Sequence, residues 1–189
     1  MRLVRSTGSP RTPWRNGAGL TRPVAQWPAE AGLDEFRWRV SCAEIAGDAP
    51  FSAFPGIRRE LLLVHGGPLT LVVDGDRHVV ARDQSLGFSG DARVACLVSG
   101  GLPAVALNVM TRRGASTAAV AVEPVGRALA LTAPDDGDLV VVALEAGTRL
   151  GGADEALEPF DAVWCGAGER VALGGSGRVA VVRVQPDRR

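Results

Sequence analysis

The chain has 189 residues with 21 basic and 21 acidic side chains, a formal charge of zero, so no global field draws it to nucleic acid or to an anionic membrane. That length suits one compact domain or two small β units and buries a core without staples. Every basic residue is Arg, a side chain fitted to bidentate carboxylate recognition, while Cys42, Cys96 and Cys165 are widely spaced with no CxxC pair, which points to free buried thiols rather than a disulfide framework or a zinc cage.

The first stretch, MRLVRSTGSPRTPWRNG, has no apolar signal-peptide core, and no apolar run in the chain approaches the roughly 18 residues that cross a bilayer. A soluble, cytoplasmic protein is the expectation. Residues 1 to 24 are rich in Arg, Gly, Pro and Thr. Within them Trp14 and Asn16 offer a stacking surface and a paired donor and acceptor, and Gly17 and Gly19 permit unusual backbone angles. Two readings stay open there, a site loop or a surface turn with Trp14 tucked into the core. No strand precedes and no helix follows, which excludes a dinucleotide fingerprint.

Phe36 to Cys42 alternates as a strand does: Phe36, Trp38, Val40 and Cys42 share one face, expected to be core, and Arg37, Arg39, Ser41 and Ala43 share the other. Cations beside small residues suit either a polar cavity or a solvated edge. Turn chemistry brackets Phe51 and Phe54. Leu61–Val64 reads as a buried strand, and Leu69–Val80 as a hairpin folded about Asp74-Gly75, the strongest such signal in the chain. Strands follow at Leu86–Phe88, Val94–Ser99 and Ala104–Met110. Helical periodicity is confined to a short turn at Ala153–Leu157.

Later strands at Leu139–Leu144, Phe160–Cys165, Glu169–Leu173 and Arg178–Gln185 repeat this plan. A constant offset of 77 (163 − 86) sets Leu86 on Val163, Leu62 on Leu139, Arg93-Val94-Ala95 on Arg170-Val171-Ala172 and Asn108 on Gln185. The expected fold class is all-β: two tandem jelly-roll-like β-barrels, residues 1–115 and 116–189.

A metal is not expected, because His65 and His78 are the only histidines and do not supply a usual ligand set. Gly87-Phe88-Ser89-Gly90-Asp91 superficially resembles a nucleophile elbow, but Asp91 replaces the closing Gly and no helix follows, so a tight turn capped by Asp91 is the better account. Arg39, Arg59, Arg112 and Arg113, near Asn16, Ser41 and Asn108, form a kit for holding a small anion. The alternative is surface pairing with Glu44, Asp48 or Asp91.

Pro13-Trp14-Arg15-Asn16-Gly17, Trp38-Arg39-Val40-Ser41, Pro50-Phe51-Ser52-Ala53-Phe54-Pro55-Gly56 with Arg59, Phe88 with Gly90-Asp91, and Asn108-Val109-Met110-Thr111-Arg112 resemble, in order, the HutD/Ves family over most of the first 115 residues. The resemblance implies a bicupin, two cupin barrels in one chain, without the cupin metal ligands. It also implies a non-enzymatic role moderating histidine utilisation by binding an intermediate such as formylglutamate or urocanate. Ala18 and Ala49 depart mildly from the family pattern, whereas Ala106 stands where the family commonly carries Asp. The expected site has Trp14 and Asn16 closing over a small anionic metabolite, Arg39 and Arg59 pairing its carboxylates, and Ser41, Asn108 and Arg112 orienting it. No catalytic residue, metal or cofactor is expected, nor any nucleic-acid or membrane partner; the second barrel serves as scaffold or as the surface of a homodimer. The rival readings are a cupin isomerase, lyase or dioxygenase acting on a small carboxylate, and a protein-interaction module.

Overall fold

A computed structural model describes residues 1–14, 17–98, 103–151 and 155–188. The first part carries β1 (Arg2–Val4), a 3-10 turn (Ser6–Gly8), β2 (Thr12–Pro13), β3 (Gly19–Trp27), β4 (Trp38–Ile45), β5 (Ala49–Pro50), β6 (Ile57–His65), β7 (Leu69–Val73), β8 (Asp76–Val80), β9 (Ser85–Ser89), β10 (Val94–Val98) and β11 (Ala104–Arg112). The second carries β12 (Ser116–Pro124), β13 (Leu129–Thr132), β14 (Asp138–Ala143), β15 (Thr148–Leu150), β16 (Glu155–Leu157), β17 (Ala162–Cys165), β18 (Arg170–Gly175) and β19 (Arg178–Pro186). The helical turn expected at Ala153–Leu157 is not formed: Glu155–Leu157 is β16, laddered to β15, and residues 153 and 154 lie outside the described residues. No helix among the described residues is long and apolar enough to cross a membrane.

The chain forms two compact cupin-like, jelly-roll units, Pro10–Arg113 and Met1–Ser9 with Gly114–Arg189. The first nine residues thus join the C-terminal unit rather than the N-terminal one. The reason is local: β1 pairs antiparallel with β17, and the buried Asp161 carboxylate accepts the Ser6 N–H at 2.7 Å and Arg5 Nη1 at 2.6 Å.

In the N-terminal unit a six-stranded sheet, β2-β3-β4-β11-β6-β9, accompanies a four-stranded one, β5-β10-β7-β8. The alternate residues Ala43, Ile45, Leu61, Leu63, Ala104 and Ala106 of the larger sheet share a core with Leu69, Leu71, Val94 and Cys96 of the smaller. Trp38, Val40 and Cys42, on the other face of β4, are buried too. The split into one core face and one cation-bearing face is therefore corrected, since the unit's interior is the face that carries Arg39, Ser41 and Ala43. Asp74 and Gly75 (φ 51° and 103°) close the β7–β8 hairpin in the expected register, Val73 opposite Asp76. Pro23, which has no N–H to give, sits at a register shift between β3 and β4.

The C-terminal unit pairs a five-stranded sheet, β1-β17-β14-β19-β12, with β13-β18-β15-β16. Its interior is apolar, led by Leu139, Val141, Val163, Cys165, Val171, Leu173, Val179 and Val181. The two strand orders correspond: β4-β11-β6-β9 matches β12-β19-β14-β17, and β5-β10-β7-β8 matches β13-β18-β15-β16. The offset of 77 is not constant, however. It places Leu86 on Val163 and Val94 on Val171, all core-facing, but it places Leu62, which points away from the face of Leu61 and Leu63, on Leu139, which lies in the core. Starting from Leu86 and Val163, the ladders carry Leu61 to Val141, Asn108 to Val181 and Ser41 to Ala121.

Candidate functional site

Pairing in the large N-terminal sheet sets side chains in rows, because directly opposed residues share a face. One row reads Gln26, Arg39, Met110, Arg59 and Phe88 across β3, β4, β11, β6 and β9. The next contains Ser41, Asn108, Leu61 and Leu86. Two cations and three polar side chains, Gln26, Ser41 and Asn108, thus occupy one face, with the apolar row of Ala43 and Ala106 beyond it.

Arg59 is the centre of this patch. Only 4% exposed, it donates from Nη1 to the Ser52 carbonyl at 3.0 Å and from Nη2 to Asn108 Oδ1 at 3.2 Å. Phe51, Phe54 and Phe88 put their rings 5.2, 5.3 and 5.0 Å from its Cζ, within cation–π range. No carboxylate pairs with it among the described residues, and its Nε has no hydrogen-bond partner. Burial pushes its pKa down to about 10, so it stays cationic near neutrality. A buried charge without a counter-charge is costly; rings and carbonyls compensate in part and leave Nε unused as a donor.

The cage follows from local sequence. Phe51 donates its N–H to Val94 O, which continues the short β5–β10 pairing. Phe54 donates to Gly90 O, and Gly90 donates to Ile57 O. A Cβ on Gly90 would lie 2.2 Å from Phe54 O, so only glycine lets the Phe54-Pro55-Gly56 turn dock there. Asp91 caps that turn: its carboxylate accepts from Ser89 Oγ at 3.0 Å and from the Gly56 N–H at 3.3 Å. Those bonds, led by the one from Ser89, together with Arg113 hold its carboxyl below the usual range.

The remaining expected residues divide. Arg39 is half-buried, with Nη1 on Gln26 Oε1 at 3.2 Å, no acidic partner among the described residues, and a pKa lowered by burial. Ser41, 3% exposed, lies directly opposite Asn108. Asn108 is fixed by accepting from Arg59, which leaves its NH2 as a donor. Trp14 donates Nε1 to Thr21 Oγ1 at 2.8 Å, meets Phe51 edge-on at 5.6 Å and covers Gly19, where a Cβ would come within 3.0 Å of the indole. It therefore buttresses the cage through Phe51. Arg112 is engaged elsewhere: Nε donates to Phe36 O at 3.0 Å, Nη2 to Asp34 O at 2.5 Å, and its guanidinium lies over the Phe36 ring. Arg113 pairs with Asp91, and Glu44 pairs with Arg11 and Arg22. Asn16 lies outside the described residues.

Phe51, Phe54 and Phe88 were legible as turn and family residues but not as ring partners of Arg59. Two Phe three apart, just before an Arg in a strand, was the available signal. Ala106, wholly buried, packs in the apolar core where an Asp would have added a carboxylate two residues from Asn108. No group of three His, Cys, Asp or Glu among the described residues is placed to hold a metal ion. His65 and His78 are both exposed, so the donor set does not fit a cupin metal centre. The three cysteines are buried and free, and burial, the largest influence, pushes the Cys42 thiol up to about 12, which removes it as a thiolate near neutral pH.

Residues 7–182 match the HutD family. Protein Ves of Citrobacter koseri is 42% identical over 110 residues, 58% of this chain and 56% of that protein. An uncharacterized 21.2 kDa protein in the hutC 3′ region of Pseudomonas putida is 38% identical over 103 residues, 53% of each chain. The chain spans about half the length of the curated relatives it matches. The structure of HutD from Pseudomonas fluorescens SBW25 superposes with a TM-score of 0.82 at 24% identity, covering 98% of both chains.

Proposed function

This chain belongs to the HutD family, and from that membership we propose that its N-terminal unit is a non-catalytic, cytoplasmic receptor for a small carboxylate of histidine breakdown, formylglutamate or urocanate, through which the protein moderates that pathway. One observation carries the reading: Arg59 is buried, cationic and caged by three rings, yet has no carboxylate partner among the described residues and an unpaired Nε. A carboxylate placed against Nε and Nη2 supplies the missing counter-charge in charge-assisted bonds of roughly 1.5–3 kcal/mol each.

The rows favour the dicarboxylate. Arg39 and Arg59 lie two strands apart with Met110 between them, about 10 Å at ordinary strand spacing. Two guanidinium groups at that separation, with Arg39 turned from Gln26 toward the ligand, fit two carboxylates on one short chain, as in formylglutamate, with Asn108 and Ser41 donating to the atoms between. Urocanate engages only one cation. Calorimetric titration of metal-analysed protein with formylglutamate, urocanate, histidine and glutamate tests the proposal. The expected result is saturable binding of formylglutamate that Arg59→Ala abolishes and Arg39→Ala weakens about tenfold or more. Equal affinity in wild type and Arg59→Ala removes the residue from the site, and no heat with any ligand overturns the receptor.

A further inference from the structure

The correspondence between the two units exposes a difference at one sheet edge. In the N-terminal unit the outer edge of β4 is covered by the nine-residue strand β3. Its counterpart β12, also nine residues, ends the five-stranded sheet with β19 as its only strand partner among the described residues. Three of the other terminal strands are blunted: β2 is two residues long and ends in Pro13, β8 carries Asp76, Arg77 and His78, and β16 is three residues long; the remaining ones, β1, β5, β9 and β13, have two to five residues against the nine of β12. From Thr117 to Val122, β12 reads Thr-Ala-Ala-Val-Ala-Val, without charge, proline or bulge against β19. Unpaired N–H and C=O groups on a long, straight, small-residue edge form a template for another strand.

We infer that this edge takes β12 of a second copy, antiparallel about a two-fold axis near Val120, so that two five-stranded sheets join into one. The strand is self-complementary in that arrangement: Ala119 opposes Ala121, Ala118 opposes Val122 and Thr117 opposes Glu123, with no like charges face to face. Charge supports the same register. Glu123 and Arg183 lie on the same sheet face, half-buried, and neither side chain has a hydrogen bond or ion pair among the described residues. In the two-fold pairing Glu123 of one copy stands opposite Thr117 of the other, one row from Arg183, and reaches it across Thr117 and Ala119, which are too small to intervene. The contact forms twice.

Sedimentation of the full chain at tens of micromolar tests this. Wild type is expected as a dimer. Glu123→Arg and Arg183→Glu each create two like-charge contacts and are expected to weaken the dimer about tenfold or more with an unchanged far-UV spectrum. Mixing the two variants restores a one-to-one heterodimer, since both cross-pairs become attractive. A Val120→Cys variant adds a reading of register: the new thiol faces its own copy and cross-links on oxidation, while the three native cysteines are buried. A monomeric wild type, variants that dimerise as wild type does, a mixture that forms no heterodimer, or a dimer that Val120→Cys does not cross-link overturns the inference.

Discussion

Arg59 is a buried cation kept at the expense of stability. Its lowered pKa, caused by burial, corresponds to a cost on the order of 3 kcal/mol for keeping the cation inside. Three ring contacts and two carbonyl acceptors offset part of that. Arg59→Met fills the cage with an apolar chain, and the expected outcome is a thermal midpoint equal to or above wild type together with complete loss of ligand binding. A midpoint several degrees lower would mean that the guanidinium is needed chiefly to hold the Ser52 loop. The sequence singled out Arg59 through its neighbours, but not its lack of an acidic partner among the described residues. Arg39, Arg59, Arg112 and Arg113 look alike in the chain, and only pairing separates Arg113 on Asp91 and Arg112 on loop carbonyls from the two that have no counter-charge among the described residues.

Among the elements, β1 has three residues and little packing of its own, yet it completes the C-terminal sheet. Asp161 holds it. Burial by itself would raise this carboxyl, but hydrogen bonds from the Ser6 N–H, Arg5 and the Glu158 N–H outweigh burial and keep it below the usual range. A depressed carboxylate stabilises the fold above its unfolded pKa of about 3.9, and the stabilisation disappears as pH falls through the lower folded value. Asp161→Asn is therefore expected to cost about 1–3 kcal/mol at pH 7. Urea titrations of wild type and variant are expected to converge as pH drops below about 4; a difference that persists undiminished in acid would assign the effect to packing rather than charge. Strand positions were readable because period-2 alternation and the Asp74-Gly75 turn are local signals. The attachment of residues 1–9 to the far end of the chain was not, since nothing local to Arg5 and Ser6 reveals a carboxylate more than 150 residues away.

Over the whole molecule, two units share one strand plan and have different interiors. The ladder correspondence sets Arg39 on Ala119, Arg59 on Leu139, Asn108 on Val181 and Phe88 on Cys165, so the second unit has an apolar core where the first has its polar patch. One ligand per chain is the expected calorimetric stoichiometry; two equivalent sites per chain would contradict the assignment of the pocket to the N-terminal unit alone. Strand order transfers between the halves while side-chain register does not, because strand lengths and loops changed by odd as well as even numbers of residues. Such a change reverses which face a residue presents, and for that reason the linear offset set Leu62 on Leu139.

The sequence by itself determined the all-β class, the tandem plan and the family, and it singled out Arg39, Ser41, Arg59 and Asn108, which the sheet brings onto one face, because alternation, glycine turns and ordered Trp, Arg, Asn and Phe motifs are short-range properties of the chain. Tertiary structure decided which arginines lack a counter-charge among the described residues, which aromatic rings surround Arg59, where the first nine residues belong and that the long strand β12 ends its sheet. Each of those depends on cross-strand pairing between residues far apart in the chain, and one residue of register there sends a side chain to the opposite face.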